Sequence, residues 1–102
     1  MRGILGSTRG GALEGLPFGV TGNAIGPGAT LTPNAERQLR ARMATNGLSR
    51  DETVSQFLTE RQPSRRFIEP ADVAELIHFL CGHAAREMTG TPISIDGGWL
   101  AI

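Results

Sequence analysis

Apolar side chains recur along the chain in short bursts, and their spacing predicts four helices and two strands. The clearest burst opens at Pro70. Val73, Leu76, Ile77 and Leu80 fall at i, i+3, i+4 and i+7, one face of a helix that Gly82 ends. Phe79 falls on the other side, beside Asp72 and Glu75, where a second apolar contact would suggest a partner chain. Thr32-Pro33 opens a second helix, with Thr as N-cap and Pro at the first helical position. It runs to Thr45 or Asn46, and Gly47 is placed to cap its end. Ala35, Leu39 and Met43 share one face, with Gln38 and Arg42 on its flank, and Glu36 pairs with Arg40 at i,i+4. Ser49-Arg50-Asp51-Glu52 reads as a capping box. Its helix carries Val54, Phe57 and Leu58 and ends before Pro63. An extended connection follows from Pro63 to Glu69.

Residues 3–16 alternate apolar and small side chains and read as a helix that Pro17 ends, although Gly6, Gly10 and Gly11 weaken it. Phe18 to Ile25 reads as a short strand with a weak centre at Gly22, stopped by Gly26-Pro27-Gly28. Pro92 to Asp96 reads as a second strand, followed by a Gly97-Gly98 turn and Trp99. Two strands joined through helices imply a right-handed parallel crossover. Parallel strands are normally buried on both faces of a larger sheet. The pattern is therefore α/β, one end of a doubly wound domain and incomplete as a domain.

Composition changes this picture at few points. Ten basic residues balance ten acidic ones in the 102-residue chain, which argues against a basic nucleic-acid grip. All ten basic residues are Arg, and Tyr is absent, so chemistry needing a Lys amine or a Tyr phenol has no group here. One cysteine, Cys81, excludes an intrachain disulfide and fits a reducing compartment. No apolar run approaches the roughly 20 residues of a membrane helix, so no membrane partner and a cytoplasmic location are expected.

Candidate chemistry is sparse. His78, Cys81 and His83 lack the fourth ligand of a structural zinc site and are explained by helix packing, so no metal is expected. Gly6 to Gly11 lacks the Gly-Lys-[Ser/Thr] ending of a phosphate loop, and G-x-G-x-x-G is absent. No nucleophile–base pair is visible, so no catalytic residue is assigned. The loop from Gly26 to Pro33 is more informative, because it leaves a strand and enters a helix. Free N–H groups at residues 34 to 36 and the Thr32 hydroxyl suit an anionic group. A plain capped turn accounts for the same spacing equally well.

These residues carry a resemblance. Asn23-Ala24-Ile25-Gly26-Pro27-Gly28, Thr32-Pro33, Arg66-Phe67, Pro70-Ala71-Asp72-Val73-Ala74, Thr89-Gly90 and Asp96-Gly97-Gly98-Trp99 together resemble the C-terminal part of the short-chain dehydrogenases/reductases (SDRs). Gln38, Arg61-Gln62-Pro63-Ser64, Phe79-Leu80-Cys81 and the ending DGGWLAI are similar to the D-3-hydroxybutyrate dehydrogenases of that family. The likeness covers nearly the whole chain, well from Phe18 onward and loosely before it.

It implies that residues 1–102 are a C-terminal piece of a Rossmann-like doubly wound parallel sheet. It also places Met1 about where the family's catalytic Lys stands, with the glycine-rich cofactor motif and catalytic Ser and Tyr upstream. In the family, the cofactor is NAD, the substrate a small 3-hydroxy acid and the assembly a homo-oligomer, commonly a tetramer. By resemblance, Pro27, Gly28 and Leu31 pack against the nicotinamide, and Thr32 lies near the cofactor phosphate. Gln38 matches a substrate-carboxylate contact, and Trp99 an aromatic that closes the substrate pocket, from the same or a neighbouring subunit. Departures stand at Gly26, Gly22, Ala29, Gly10 and Gly11, and they weaken helix, strand and pocket wall. The isolated chain is expected to be inactive. Two other readings remain: a non-catalytic module docking on full-length SDR subunits, and a truncated or mis-started gene product.

Overall fold

Four helices and two strands follow one another in the order the pattern predicts. A computed structural model describes residues Arg2–Ile102, the Arg2 side chain excepted. Helix α1 (Arg2–Gly15) precedes strand β1 (Ala24–Pro27), helices α2 (Pro33–Asn46), α3 (Arg50–Leu58) and α4 (Pro70–Leu80), and strand β2 (Pro92–Ile95). Short 3-10 turns occupy Leu16–Phe18, His83–Ala85 and Trp99–Ala101. β1 and β2 form a two-stranded sheet. Ala24 N–H donates to the Thr91 carbonyl at 3.1 Å, and Gly28 N–H to the Ile95 carbonyl at 3.0 Å. Both pairs are 67 residues apart, and a constant separation means parallel strands. The chain divides into two units: residues up to Gly26 with Ala74–Ser94, and Pro27–Val73 with Ile95–Ile102.

In the first unit, α1 continues through Gly6, Gly10 and Gly11. Ala12 and Ala85 are its buried apolar residues, while Leu13, Leu16, Phe18 and Val20 stand exposed. The expected strand at Phe18 starts later, at Ala24. Pro17 instead nucleates a 3-10 turn closed by Gly19, whose φ is 71° and whose N–H donates to the Leu16 carbonyl. Side chains then do the pairing that the ladder does not. Asn23 Nδ2 donates to the Met88 carbonyl at 2.8 Å, and its Oδ1 accepts from Thr91 N–H at 3.2 Å. Gly22 N–H donates to Thr89 Oγ1 at 3.0 Å.

In the second unit, α2 packs on α3. Thr32 Oγ1 accepts from Ala35 N–H, and Gly47, at φ 66°, closes the other end of α2, as the sequence predicts. Ser49 Oγ accepts from Glu52 N–H at 3.2 Å, the Ser half of a capping box. Leu39 and Leu58 are completely buried, each from the face the periodicity assigns. Phe57 and Phe67 meet with ring centroids 5.7 Å apart, and the Arg42 guanidinium lies 4.8 Å from the Phe57 centroid. The Glu36–Arg40 pair forms at 3.4 Å. A tighter one, absent from the helix pattern, joins Arg50 to both Glu36 oxygens at 2.6 and 2.7 Å.

Three expectations need correction. The Pro63–Glu69 connection is not extended throughout. Arg65 takes the left-handed region at φ 55°, because its N–H turns back to the Gln62 carbonyl at 2.8 Å. Only near Ile68 does the chain extend, in a parallel bridge with Thr30. Helix α4 buries no side chain completely. Val73, Leu76 and Leu80 are half-buried, and Ile77 and Phe79 are exposed, so its stripe is not matched by enough covering surface within the chain. Finally, β2 ends at Ile95, because Asp96 caps the next turn: its carboxylate accepts from Gly98 N–H at 3.0 Å and Leu100 N–H at 3.2 Å.

Candidate functional site

Pro27, Gly28, Leu31, Thr32, Gln38 and Trp99, the residues that the resemblance assigns to the site, all lie in the second unit. Pro27 ends β1 exposed, where its missing N–H leaves no ladder donor. Gly28 is there for close approach. A Cβ on it would stand 2.9 Å from Asp96 Cα and collide with the Gln62 amide oxygen. The loop can therefore lie against the Asp96 turn only with glycine at this position. Ala29 N–H donates to Gln62 Oε1 at 2.7 Å, and Thr30 Oγ1 donates to the Gly28 carbonyl at 3.1 Å. Leu31 N–H donates to the Ile68 carbonyl at 3.1 Å, and Ile68 N–H to the Ala29 carbonyl at 2.8 Å. Each end of the loop is thus pinned by hydrogen bonds.

Leu31 lines an open cavity of about 340 Å³ with Arg50, Val54, Arg66, Phe67, Glu69 and Asp72. Thr32, Gln38 and Trp99 do not line it. Gln38 is exposed on α2. Trp99 opens the last 3-10 turn and is 45% exposed. The structure brings Gly28 against the Asp96 turn, while Gln38 lies exposed on the surface of α2.

The predicted anion cradle at the start of α2 is narrower than expected. Ala35 N–H is taken by Thr32 Oγ1, and Glu36 N–H by the Thr32 carbonyl at 2.9 Å. The cap consumes these donors because they are the groups a helix start must satisfy first. Thr32 keeps its hydroxyl proton, since its oxygen acts as acceptor in the cap. One turn on, the Arg50 hydrogen bonds hold the Glu36 carboxyl below its ordinary value, with Arg40 adding to the effect. The same bonds raise Arg50. The Glu36 negative charge near this helix end is thereby compensated.

Gln62 is the residue that sequence reasoning missed as part of the site. It is 0% exposed, and both ends of its amide are bonded: Oε1 accepts from Ala29 N–H, and Nε2 donates to the Arg66 carbonyl. It also presses on Gly97, where an added Cβ would reach Gln62 Cγ at 2.7 Å. Gly97 is at φ 61°, and its carbonyl accepts from Ser64 N–H at 2.9 Å. The sequence offered only Arg61-Gln62-Pro63-Ser64 as a family feature. A buried amide has no periodicity to betray it.

Among the described residues, no three His, Cys, Asp or Glu side chains stand close enough to hold a metal ion. Nor, among the described residues, is any helix long and apolar enough to cross a membrane.

Comparison with known proteins decides the family. The family model described as enoyl-(acyl carrier protein) reductase matches residues 2–100. The chain belongs to the short-chain dehydrogenases/reductases. It is 40% identical over 99 residues to D-beta-hydroxybutyrate dehydrogenases of Rhizobium meliloti and Cupriavidus necator, covering 97% of this chain and 38% of each relative. So the chain spans well under half the length of these curated SDR relatives. Among solved SDR structures, it is similar to L-sorbose reductase from Gluconobacter frateurii complexed with NADPH and L-sorbose. That match has a TM-score of 0.84 and 26% identity, over 99% of this chain and 38% of the other. A putative 2-deoxy-d-gluconate 3-dehydrogenase from Agrobacterium tumefaciens with bound NADP gives 0.74 and 36%, over 99% and 37%. The two parallel strands and four helices therefore have the α/β fold of a Rossmann-type SDR, in agreement with the resemblance carried by the motifs.

Proposed function

We propose that this chain supplies the nicotinamide- and substrate-facing elements of an NAD-dependent oxidoreductase acting on a short 3-hydroxy acid. The observation that carries the proposal is the 40% identity to two D-beta-hydroxybutyrate dehydrogenases, over a span that includes Pro27–Thr32, Gln38 and Trp99. The site chemistry suits it. Leu31 offers a half-buried apolar side chain, and Thr32, next to it, a free hydroxyl proton; together they fit a flat ring beside a phosphate. The Gln38 amide is a neutral donor suited to a carboxylate, and Trp99 a large apolar face suited to closing a pocket. NAD, when bound, would supply the hydride-accepting ring, and Pro27, Gly28, Leu31 and Thr32 are the residues that would hold it. These residues bind, orient and exclude water; none of them takes the alcohol proton, and the chain has no Tyr or Lys to do so. The proton-transfer groups come from another segment, and the assembled enzyme is a homo-oligomer.

Grafting tests this reading. The 102 residues replace the matching 99-residue stretch of the Rhizobium meliloti enzyme. The graft oxidises 3-hydroxybutyrate with NAD, whereas the 102-residue chain alone does not. In the graft, Gln38→Ala raises KM about tenfold or more with a smaller change in kcat, as expected for loss of a charge-assisted hydrogen bond. A folded graft that binds NAD but has no activity on 3-hydroxy acids overturns the substrate assignment. A second reading rests on Ile77 and Phe79, 47% and 49% exposed on α4. Such a face suits docking on a full-length SDR subunit without catalysis. Co-purification with that subunit supports it, and a well-folded monomer by sedimentation counts against it.

A further inference from the structure

We propose that Gln62 is a positioning residue, one buried amide that clamps the Gly28–Thr32 loop and the Gly97–Trp99 turn so that they open and close together. What these two elements face rests on the proposed function; the clamp itself rests on geometry alone. Gln62 follows the end of α3, and its own N–H donates to the Leu58 carbonyl at 2.9 Å, which ties it to a completely buried leucine. From there its Oε1 holds Ala29, on the loop that begins at Gly28. Its Nε2 holds the Arg66 carbonyl, fixing the return of the chain toward the Ile68 bridge that secures Leu31. Its Cγ fills the space a Gly97 Cβ would need, and two residues on, Ser64 N–H donates to the Gly97 carbonyl. Between them, a Cβ on Gly98 would stand 3.5 Å from the Pro63 ring, in ordinary contact, and Trp99 follows directly. The segment 62–64 therefore touches both the cofactor-facing loop and the turn that carries the substrate-facing Trp.

Glycine at positions 28 and 97 fits this arrangement. At Gly28 the side-chain space is taken by Gln62 and Asp96, and at Gly97 by Ser64 and Gln62. A buried amide with both ends satisfied is directional, and an apolar side chain of the same size cannot replace it. Glu keeps the acceptor for Ala29 N–H and loses the donor for the Arg66 carbonyl. Leu keeps the volume and loses both.

Amide hydrogen exchange and Trp fluorescence on the full 102-residue chain test the clamp, and Trp99 is the single Trp, so its emission has one source. In the wild-type chain, the Ala29 and Ser64 amides exchange with matched protection and the same denaturant dependence, as one opening unit requires. Gln62→Leu speeds both about tenfold or more, the loss expected for a buried donor left unpaired, and shifts the Trp99 emission. The Leu39 and Leu58 amides stay protected. Gln62→Glu rescues Ala29 protection but not the Arg66 end. The proposal is overturned if Gln62→Leu releases Ala29 while Ser64 and Trp99 stay unchanged. It is equally overturned if the two amides open independently in the wild type, a result that needs no variant to fold. Titration with NAD separates the two claims. A 102-residue chain that shows the joint opening, together with a Rhizobium meliloti graft whose Leu31 and Thr32 resonances are unmoved by NAD, retains the clamp and overturns the proposed function.

Discussion

The two units of this chain are built from similar raw material and hold it differently. The second buries Leu39, Leu58, Thr53 and Gln62 almost completely and satisfies every polar atom among them. Among its described residues, the first buries only Ala12 and Ala85 to that degree and leaves Ile4, Leu13, Leu16, Phe18, Val20, Ile77 and Phe79 exposed. Phe18 is 82% exposed. The contrast shows where a short stretch of an α/β sheet carries its own specification. A helical hairpin closes on itself through local contacts, while a parallel strand pair and the helices beside it need a larger sheet for burial. The residues proposed to meet cofactor and substrate all belong to the self-contained unit.

The comparison breaks most sharply at single leucines. Leu39→Ala or Leu58→Ala costs about 2–5 kcal/mol of unfolding free energy, since each removes a completely buried side chain. Leu13→Ala, 69% exposed in the first unit, costs less than about 0.5 kcal/mol. Urea titration of the chain measures all three. Equal losses at Leu39 and Leu13 would erase the distinction between the units.

Gly28→Ala comes next, at about 1–3 kcal/mol, because its Cβ has only the Asp96 backbone and the Gln62 amide to push against. The larger mark of that change is local: exchange at Ala29 and Ser64 rises together, for the reason given for Gln62. A loss of stability with Ser64 still protected would place the strain in the loop alone.

In the first unit the opposite sign is expected. Gly10 and Gly11 lie within α1, and a Cβ on either meets nothing within 4 Å. Gly10→Ala and Gly11→Ala should each raise the helical content seen by circular dichroism and add up to about 1 kcal/mol. These glycines therefore cost helix propensity without serving the packing seen in this chain. No gain in either variant would mean that α1 is held by something other than its own propensity.

Legibility in the sequence followed the same division. Helices α2 and α3 were readable because caps and periodicity agree: Thr32, Gly47 and Ser49 bound them, and Leu39 and Leu58 mark their inner faces. The strand misplaced at Phe18 failed because β-type side chains were read without the Pro17–Gly19 turn chemistry that overrides them. The stripe on α4 was real as a pattern and yet mostly uncovered, since periodicity reports what a helix is built to bury, not what is present to bury it. At the site, the Thr32 cap and the Gly28 turn were legible as residue types. The Gln62 clamp was not, because its partners are backbone groups, Ala29 thirty-three residues back and Arg66 four residues on, and backbone groups carry no sequence signal.

The smallest expected effect belongs to the Glu36–Arg50 pair, which fastens α2 to the start of α3. The pair is solvent-exposed, and exposed pairs contribute little even when bidentate. Its sign is nevertheless definite. Hydrogen bonding from Arg50 lowers the Glu36 carboxyl below its ordinary value of 4.5 in the folded chain. Its contribution is therefore complete above 4.5 and fades as pH falls through the lowered folded value, because the unfolded chain takes up the proton first. Arg50 is raised by the same bonds and stays charged throughout that window. Thermal unfolding followed from neutral pH downward should lose a small increment in wild type that Glu36→Gln lacks. That difference should shrink in concentrated salt, which screens the pair. A Glu36→Gln chain that matches wild type both above 4.5 and in acid would show that the two helices are held by Leu39 and Leu58 alone, and the charge pair would then serve only to compensate Glu36 beside Thr32.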